Sequence, residues 1–68
     1  MNNIGEQLKA RRFELGISQQ TLADLSEVSI NTIVGIERGT GNPSLRTLEK
    51  LCHVLGVALT LTPGRGLN

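Results

Sequence analysis

The sequence of 68 residues predicts a mainly α-helical fold that ends in a short β-strand. Three serines precede segments in which apolar residues recur at helical spacing, which is where helix N-caps stand: Ser18, Ser29 and Ser44. Apolar residues flank two of these caps as hydrophobic staples, pairing Ile17 with Leu22 and Val28 with Ile33. After Gly56 the apolar period changes from helical spacing to strict alternation. Four helices and one strand follow from these patterns.

The first three helices are short. We predict helix 1 from about Ile4 to Glu14, ended by Leu15 and Gly16, with a thin inward side: Ile4, Leu8, Leu15 and Ala10. Helix 2 covers roughly residues 19–25 and turns three residues inward: Leu22, Ala23 and Leu25. Helix 3 covers roughly Ile30 to Arg38, turns Ile33 and Ile36 inward, and ends at Gly39 as a left-handed cap.

The fourth helix begins after Ser44 and ends at Gly56. Its apolar residues recur at helical spacing: Leu45, Leu48, Leu51, Cys52 and Leu55. Cys52 falls on this stripe, so we interpret it as a small buried hydrophobe. Because His53 points elsewhere around the helix, the two residues do not form a nucleophile and its base, and we expect neither catalysis nor a metal site.

Alternation of Val57, Leu59 and Leu61 with smaller residues predicts a strand at about 57–62, before Pro63 and Gly64. The sequence contains no second strand, and unpaired backbone groups need a partner. The same strand from a second subunit would provide one, giving a two-fold ribbon in a homodimer. Alternatively, the segment covers the core as an extended tail. We expect residues 1–62 to form the domain and residues 63–68 a flexible tail.

Composition limits the classes of partner. A net charge of +1 argues against a protein that coats nucleic acid by charge alone. With Phe13 as the one aromatic residue, there is no platform for stacking single-stranded bases, so a duplex groove fits better. The polar start is unlike a signal peptide, and no apolar run is long enough to span a membrane, so we expect a cytoplasmic protein without a cofactor.

Helices 2 and 3 form the unit that could read a duplex. The outward face of helix 3 carries residues able to bond base edges or touch a thymine methyl: Ser29, Ile30, Asn31, Thr32, Val34 and Gly35. Arg38 at its far end suits a phosphate. Gln19 and Gln20 open helix 2, where N–H groups and the helix dipole favour a phosphate. An ordinary solvated helix face is the alternative explanation for these polar residues.

The chain from about Ile4 to Leu61 resembles the Xre/Cro type of helix-turn-helix domain in the lambda-repressor-like fold. The resemblance rests on five matching segments: residues 16–19, 22–23, 28–29, Ile33 and residues 36–39. It implies that Gln19 contacts phosphate, that residues 29–32 and Gly35 read bases, and that Arg12 pairs with Glu37. Glu27 departs from the pattern, because family members often have glycine at this turn position, where φ is positive.

The fourth helix followed by residues 57–61 resembles the HipB-like antitoxin branch, in which a C-terminal strand pairs across the dimer. That resemblance implies an antitoxin that represses its own operon and binds a HipA-type kinase toxin. Many Xre-type regulators act without a toxin, so a stand-alone repressor of a double-stranded operator stays open. A protein-interaction module that kept the fold is the third possibility.

Overall fold

The computed structural model describes residues 4–61 together with Gly64 and Gly66. Four α-helices occupy the described part of the chain: α1 (Ile4–Glu14), α2 (Gln19–Ser26), α3 (Ile30–Arg38) and α4 (Leu45–Leu55). The mainly helical prediction is confirmed, and each helix begins where the sequence placed it. Among the described residues, no helix has the length and apolar character needed to cross a bilayer.

The three predicted serine caps are all present. In each case the serine Oγ accepts the backbone N–H of a threonine three residues later: Thr21, Thr32 and Thr47, at distances of 3.0, 3.2 and 3.1 Å. The serine and threonine hydroxyls also bond each other at 2.8–3.0 Å. One local motif therefore starts α2, α3 and α4, satisfying a backbone donor that each helix would otherwise leave free.

The core lies between α1 and α2 on one side and α3 and α4, which both pack against them, on the other. Four side chains are almost completely buried, and they come from three helices: Leu22, Ile33, Leu51 and Leu55. Val28, the predicted staple residue of the turn, is also buried and belongs to the same cluster. Burying an aliphatic side chain contributes about 1.5–3 kcal/mol, so a core of this size supports only a marginally stable domain.

Several predicted core positions are wrong. Leu25 is 62% exposed, and Ser26 occupies the buried position because it stands one turn above Leu22 on α2. Leu45 is exposed in the first turn of α4. On α1 the buried stripe consists of Gly5, Leu8 and Arg12, whereas the three other predicted residues are exposed: Ile4, Ala10 and Leu15. Leu15 would continue this stripe, but α1 ends at Glu14.

A buried ion pair joins α1 to α3. Arg12 donates from Nε to Glu37 Oε2 at 2.8 Å and from Nη2 to Glu37 Oε1 at 2.9 Å. The two side chains are 7% and 4% exposed. Arg12 Nη1 also donates to the carbonyl of Ile17 at 2.9 Å, and the Phe13 ring lies 4.8 Å from the guanidinium carbon. The predicted pair therefore exists in the bidentate geometry that suits arginine and carboxylate.

The environment shifts the pKa of both partners. Burial by itself would raise the pKa of Glu37, but hydrogen bonds from Arg12 and Gln19 outweigh it and hold this pKa below its ordinary value of 4.5. The hydrogen bond to Glu37 raises the pKa of Arg12. Both groups are therefore charged at neutral pH.

Arg11 joins α1 to the end of α4. Its Nε donates to the carbonyl of Leu55 at 2.8 Å, which satisfies a carbonyl in the last turn of α4 and places a positive charge at the negative end of the helix dipole. Gly56 follows with φ 68° and closes the helix. Two neighbouring arginines of α1 thus bind two different helices: Arg12 binds α3 and Arg11 binds α4.

The segment 57–61 forms neither a helix nor a strand in the described chain. Its first amide, that of Val57, still bonds the Cys52 carbonyl at 3.0 Å as part of the α4 cap. The described residues contain no other extended segment with which a ladder could form, so the predicted strand is not shown within one chain. Thr62, its predicted end, lies outside the described residues, as does the predicted tail at 63–68 apart from Gly64 and Gly66.

Acid should weaken the fold through Glu37. The unfolded chain binds a proton more readily than the folded one at this group, so the pair contributes stability above pH 4.5 that is lost as pH falls through the lower folded pKa. We expect the free energy of unfolding, measured by urea titration between pH 7 and pH 3, to fall across this window. Glu37→Gln should be less stable at pH 7 and show a shallower fall. Equal pH profiles for Glu37→Gln, wild type and the exposed control Glu49→Gln would contradict this role.

Glu27 holds a conformation that favours glycine. It follows α2 with φ 60° and ψ 30°, and its backbone N–H bonds the Ala23 carbonyl. Left-handed backbone costs a residue with a β-carbon ~1–2 kcal/mol, whereas glycine pays ~0.5–1 kcal/mol in unfolded-state entropy. Glu27→Gly should therefore raise the free energy of unfolding by about 0.5–1 kcal/mol in urea titrations. Glu27→Gln, which keeps the β-carbon, is the control and should leave the backbone contribution unchanged.

Candidate nucleic-acid interface

The turn between α2 and α3 is held from inside by Ser26. Its hydroxyl donates to the Leu22 carbonyl at 2.6 Å and accepts the N–H of Val28 at 3.3 Å. With Glu27 in the left-handed region and Val28 buried, the chain reverses within three residues and starts α3 at the Ser29 cap. This fixes α3 relative to α2 as a rigid bihelical unit.

The outward face of α3 is built from its first turn and its last residue. Asn31 and Arg38 are exposed, and neither side chain makes a hydrogen bond or ion pair within the described part of the chain. Asn31 thus presents a donor and an acceptor together, the pair that matches an adenine edge. Arg38 presents a fork of donors suited to phosphate.

Three other predicted residues of this face are already engaged. The Ser29 hydroxyl caps α3 and bonds the Thr32 hydroxyl at 2.8 Å, so these hydroxyls have less capacity left for a base. Ile30 is half-buried and packs against the core, which limits any contact with a thymine methyl. Val34 is half-buried without belonging to that packed set and leaves apolar surface on the face.

Gly35 lies on the same face, and no atom crowds the place where its β-carbon would be. A β-carbon placed there would meet nothing nearer than Gly41 Cα at 3.8 Å, an ordinary contact. Internal packing therefore does not require glycine at this position. At Gly41 a β-carbon would lie 3.2 Å from the Gly35 carbonyl carbon, so glycine is needed there to bring the loop against α3. The sequence contained no sign of this role for Gly41.

The Gly35 carbonyl ties the end of α3 to the following loop. It accepts the N–H groups of Gly39, Thr40 and Gly41 at 3.0–3.1 Å. This cluster closes α3 at its C-cap, Gly39, directly after Arg38, and keeps the loop folded over the helix. The position of Arg38 at the exposed end of α3 follows from this closure.

Gln19 begins α2 and is tied to the buried ion pair. Its Nε2 donates to Glu37 Oε1 at 3.0 Å, the oxygen that also accepts from Arg12. Because the amide group has a second N–H, one donor can face Glu37 while the other is available to an outside acceptor such as phosphate. Gln20 is exposed, and its Nε2 donates to Asp24 at 2.9 Å, so a phosphate there would meet a carboxylate nearby.

Cys52 has the environment of a core residue. Its side chain is buried, and burial, followed by the charge of Glu49, raises the pKa of the thiol. A protonated buried thiol is a weak nucleophile. Adjacent His53 is exposed. Within the described residues, no three His, Cys, Asp or Glu side chains gather as a metal site requires.

Comparison with known proteins agrees with this geometry. The family model described as Helix-turn-helix matches residues 8–61. An uncharacterized HTH-type transcriptional regulator of Haemophilus influenzae is 44% identical over 63 residues, which cover 93% of this chain and 64% of that protein. The Immunity repressor protein of Bacillus phage phi105 is 36% identical over 61 residues, covering 90% and 42% of the two chains.

A third relative is also longer than the segment that it shares with this chain. The SPbeta prophage-derived uncharacterized HTH-type transcriptional regulator YonR of Bacillus subtilis is 41% identical over 55 residues, which cover 81% of this chain and 51% of that protein. The chain thus spans between about two fifths and two thirds of the length of these three relatives. The similarity lies in the part that contains α2 and α3.

Proposed function

The chain belongs to the helix-turn-helix family in its Xre/lambda-repressor-like form, and from this premise we propose that it is a sequence-specific, double-stranded DNA-binding transcriptional regulator that acts as a repressor. In this proposal α3 lies in the major groove and α2 crosses the backbone, the arrangement that helix-turn-helix proteins use. One relative is named an immunity repressor and others HTH-type transcriptional regulators, which supports the assignment.

The observation that carries the proposal is the exposed Asn31 side chain, whose amide makes no hydrogen bond among the described residues. Its amide is exposed on the first turn of α3 and has no partner among the described residues, so binding a base edge would break no internal hydrogen bond. The surrounding backbone is rigid because the Ser29 cap and the buried Ile33 fix both sides of this turn. A rigid helix that presents an unpaired amide is suited to direct readout.

The proposed phosphate contacts lie at the N-terminus of α2 and the C-terminus of α3. Gln19 would donate its second amide N–H to a phosphate while Glu37 holds the first, and the N-terminal dipole of α2 would favour the anion. Arg38 would bind a phosphate at the other end of α3. Each copy would therefore neutralise few phosphates, which fits the net charge of +1 and limits the affinity of a single copy.

A homodimer would supply the missing affinity. Val57 and Leu59 are each more than a third exposed and Leu61 is fully exposed, so the segment has apolar surface and backbone groups available for pairing. Antiparallel pairing with a second copy would form a two-fold ribbon at about 57–62. Two α3 helices would then read a palindromic operator with half-site centres about 34 Å, or a multiple of that, apart.

Two alternatives differ in their partners. The antitoxin role, with a HipA-type kinase toxin, stays a prediction, and the names of these relatives describe regulators and a repressor. A gene for a kinase-like toxin next to this one would favour it. A protein-interaction module would bind its partner with little salt dependence, whereas a DNA reader releases counterions and loses affinity steeply with added salt.

Replacing Asn31 with alanine tests base readout. The preferred sequence is first selected from random DNA at two salt concentrations. Asn31→Ala should then weaken binding to that sequence by ~1–3 kcal/mol in fluorescence anisotropy titrations and leave binding to random DNA almost unchanged. Arg38→Gln is the contrast, because loss of a phosphate contact should weaken both complexes and lower the salt slope by ~1. Equal losses on both DNAs for Asn31→Ala would show that Asn31 does not read bases.

Proline in the C-terminal segment tests the ribbon. Alternate N–H groups of a strand point at one partner, so one of the two variants Leu59→Pro and Thr60→Pro removes a backbone donor that a ladder would use. That variant should shift from dimer toward monomer in sedimentation velocity experiments. The helical circular dichroism signal should not change, since neither position lies in a helix. Sedimentation that is the same for wild type and both variants would count against pairing through this segment.

A further inference from the structure

A groove of about 250 Å³ lies beside the segment that follows α4. Its apolar lining includes Ile4 and Leu8 of α1, Cys52 of α4, and Val57 and Leu59 of the segment. All its lining residues are uncharged. The lining also includes the polar residues Gln7 and Thr60. The groove has room for a branched aliphatic side chain, and the apolar part of its wall favours such an occupant over water.

Leu61 lies close to this groove in the sequence, but its side chain is exposed to water. It continues the alternation of Val57 and Leu59, which are 37% and 36% exposed, but its own side chain is 99% exposed. An apolar side chain held in water and a nearby groove that is partly lined by apolar side chains form a complementary pair. Within this chain the two remain separate, because Leu61 is not among the groove residues.

The charge pattern favours a second copy of this chain as the occupant. Residues 51–64 form the longest stretch of the sequence without Asp, Glu, Lys or Arg. In a two-fold interface a surface meets itself, so any charge near the axis would face its own copy and be repelled. A neutral apolar segment avoids this repulsion and is therefore self-complementary.

The register follows from the pleat and from the neighbouring residues. Apolar side chains match across an antiparallel pair only when odd positions face odd positions. Centring the pair on Ala58 would set Leu61 opposite Leu55, which is inside α4. Centring it on Thr60 would set Val57 opposite Pro63, which has no donor. The register centred on Leu59 remains, and it sets Val57 opposite the partner's Leu61.

We propose that each groove is a socket for Leu61 of a second copy, with the two segments paired antiparallel about Leu59. The proposal rests on the homodimer of the proposed function and specifies its interface. The partner's Leu61 enters beside Val57 and packs between Ile4 and Cys52, and the exchange is reciprocal. The two Leu61 side chains of the dimer are thereby removed from water.

A cysteine at position 61 tests the placement, because Cys52 is the sole native cysteine and lines the groove. Under mild oxidation, Leu61→Cys should form a disulfide between the introduced thiol and Cys52 of the other copy. Mixing isotope-labelled and unlabelled protein before digestion and mass spectrometry distinguishes links between copies from links within one chain. The double variant Leu61→Cys/Cys52→Ser is the control and should lose this link. A link found only within single chains would overturn the proposal.

Disulfides form only at short Cα separations, so a second measurement keeps the test independent of that geometry. Leu61→Ser should raise the dimer dissociation constant on the order of 100-fold in sedimentation equilibrium, since two leucines per dimer lose their socket. Leu25→Ser is the matched control, because Leu25 is exposed on α2 and lies outside the groove. It should leave the constant unchanged. Equal constants for the two variants would overturn the socket.

The outcomes separate this proposal from the one on which it rests. If Leu61→Ser still dimerises as wild type does and one of the two proline variants does not, the ribbon stands and the socket fails. If wild type sediments as a monomer while it binds its selected DNA sequence, the homodimer fails and the socket with it. DNA selection and the Asn31 measurements are unaffected by either result, so the readout assignment is judged separately.

Discussion

The bidentate pair between Arg12 and Glu37 is the interaction on which the rest of the structure depends. It connects α1 to α3 in a core that has few large side chains. One oxygen of Glu37 also accepts a hydrogen bond from Gln19 at the start of α2. Three helices therefore meet at a single carboxylate. Removing one partner of a buried pair leaves an uncompensated charge, which costs far more than a surface pair contributes.

The same carboxylate links stability to the proposed contacts with DNA. Glu37 accepts one N–H of Gln19 and so fixes the direction of this amide at the N-terminus of α2. An outside acceptor would therefore meet an ordered donor, not a side chain that rotates freely. On α3, internal bonds occupy Ser29 and Thr32, whereas the Asn31 side chain has no partner among the residues that the structure describes. The interface is thus divided between residues that hold the helix and a smaller number that are available to a partner.

Much of the fold could be predicted because its signals are local. A serine before an apolar run, a glycine after it, and apolar residues at helical spacing identify α3 within the residues that the structure shows. Glu27 has the positive φ that the family resemblance implies for this turn position. Burial was predicted less well, since Leu25 and Leu45 are apolar but exposed, whereas Arg12 is charged but buried. Burial depends on which neighbours cover a face, and spacing along one helix does not contain that information.

The sequence by itself determined the helix boundaries, the caps and the identity of the outward residues of α3, because each depends on residues within one or two turns. The tertiary structure alone decided that Glu37 holds the amide of Gln19 at the start of α2, since these residues meet across 18 positions of chain. It also decided where the groove beside residues 57–61 lies, against α1 and α4. These features arise from contacts between distant segments, and only packing brings such segments together.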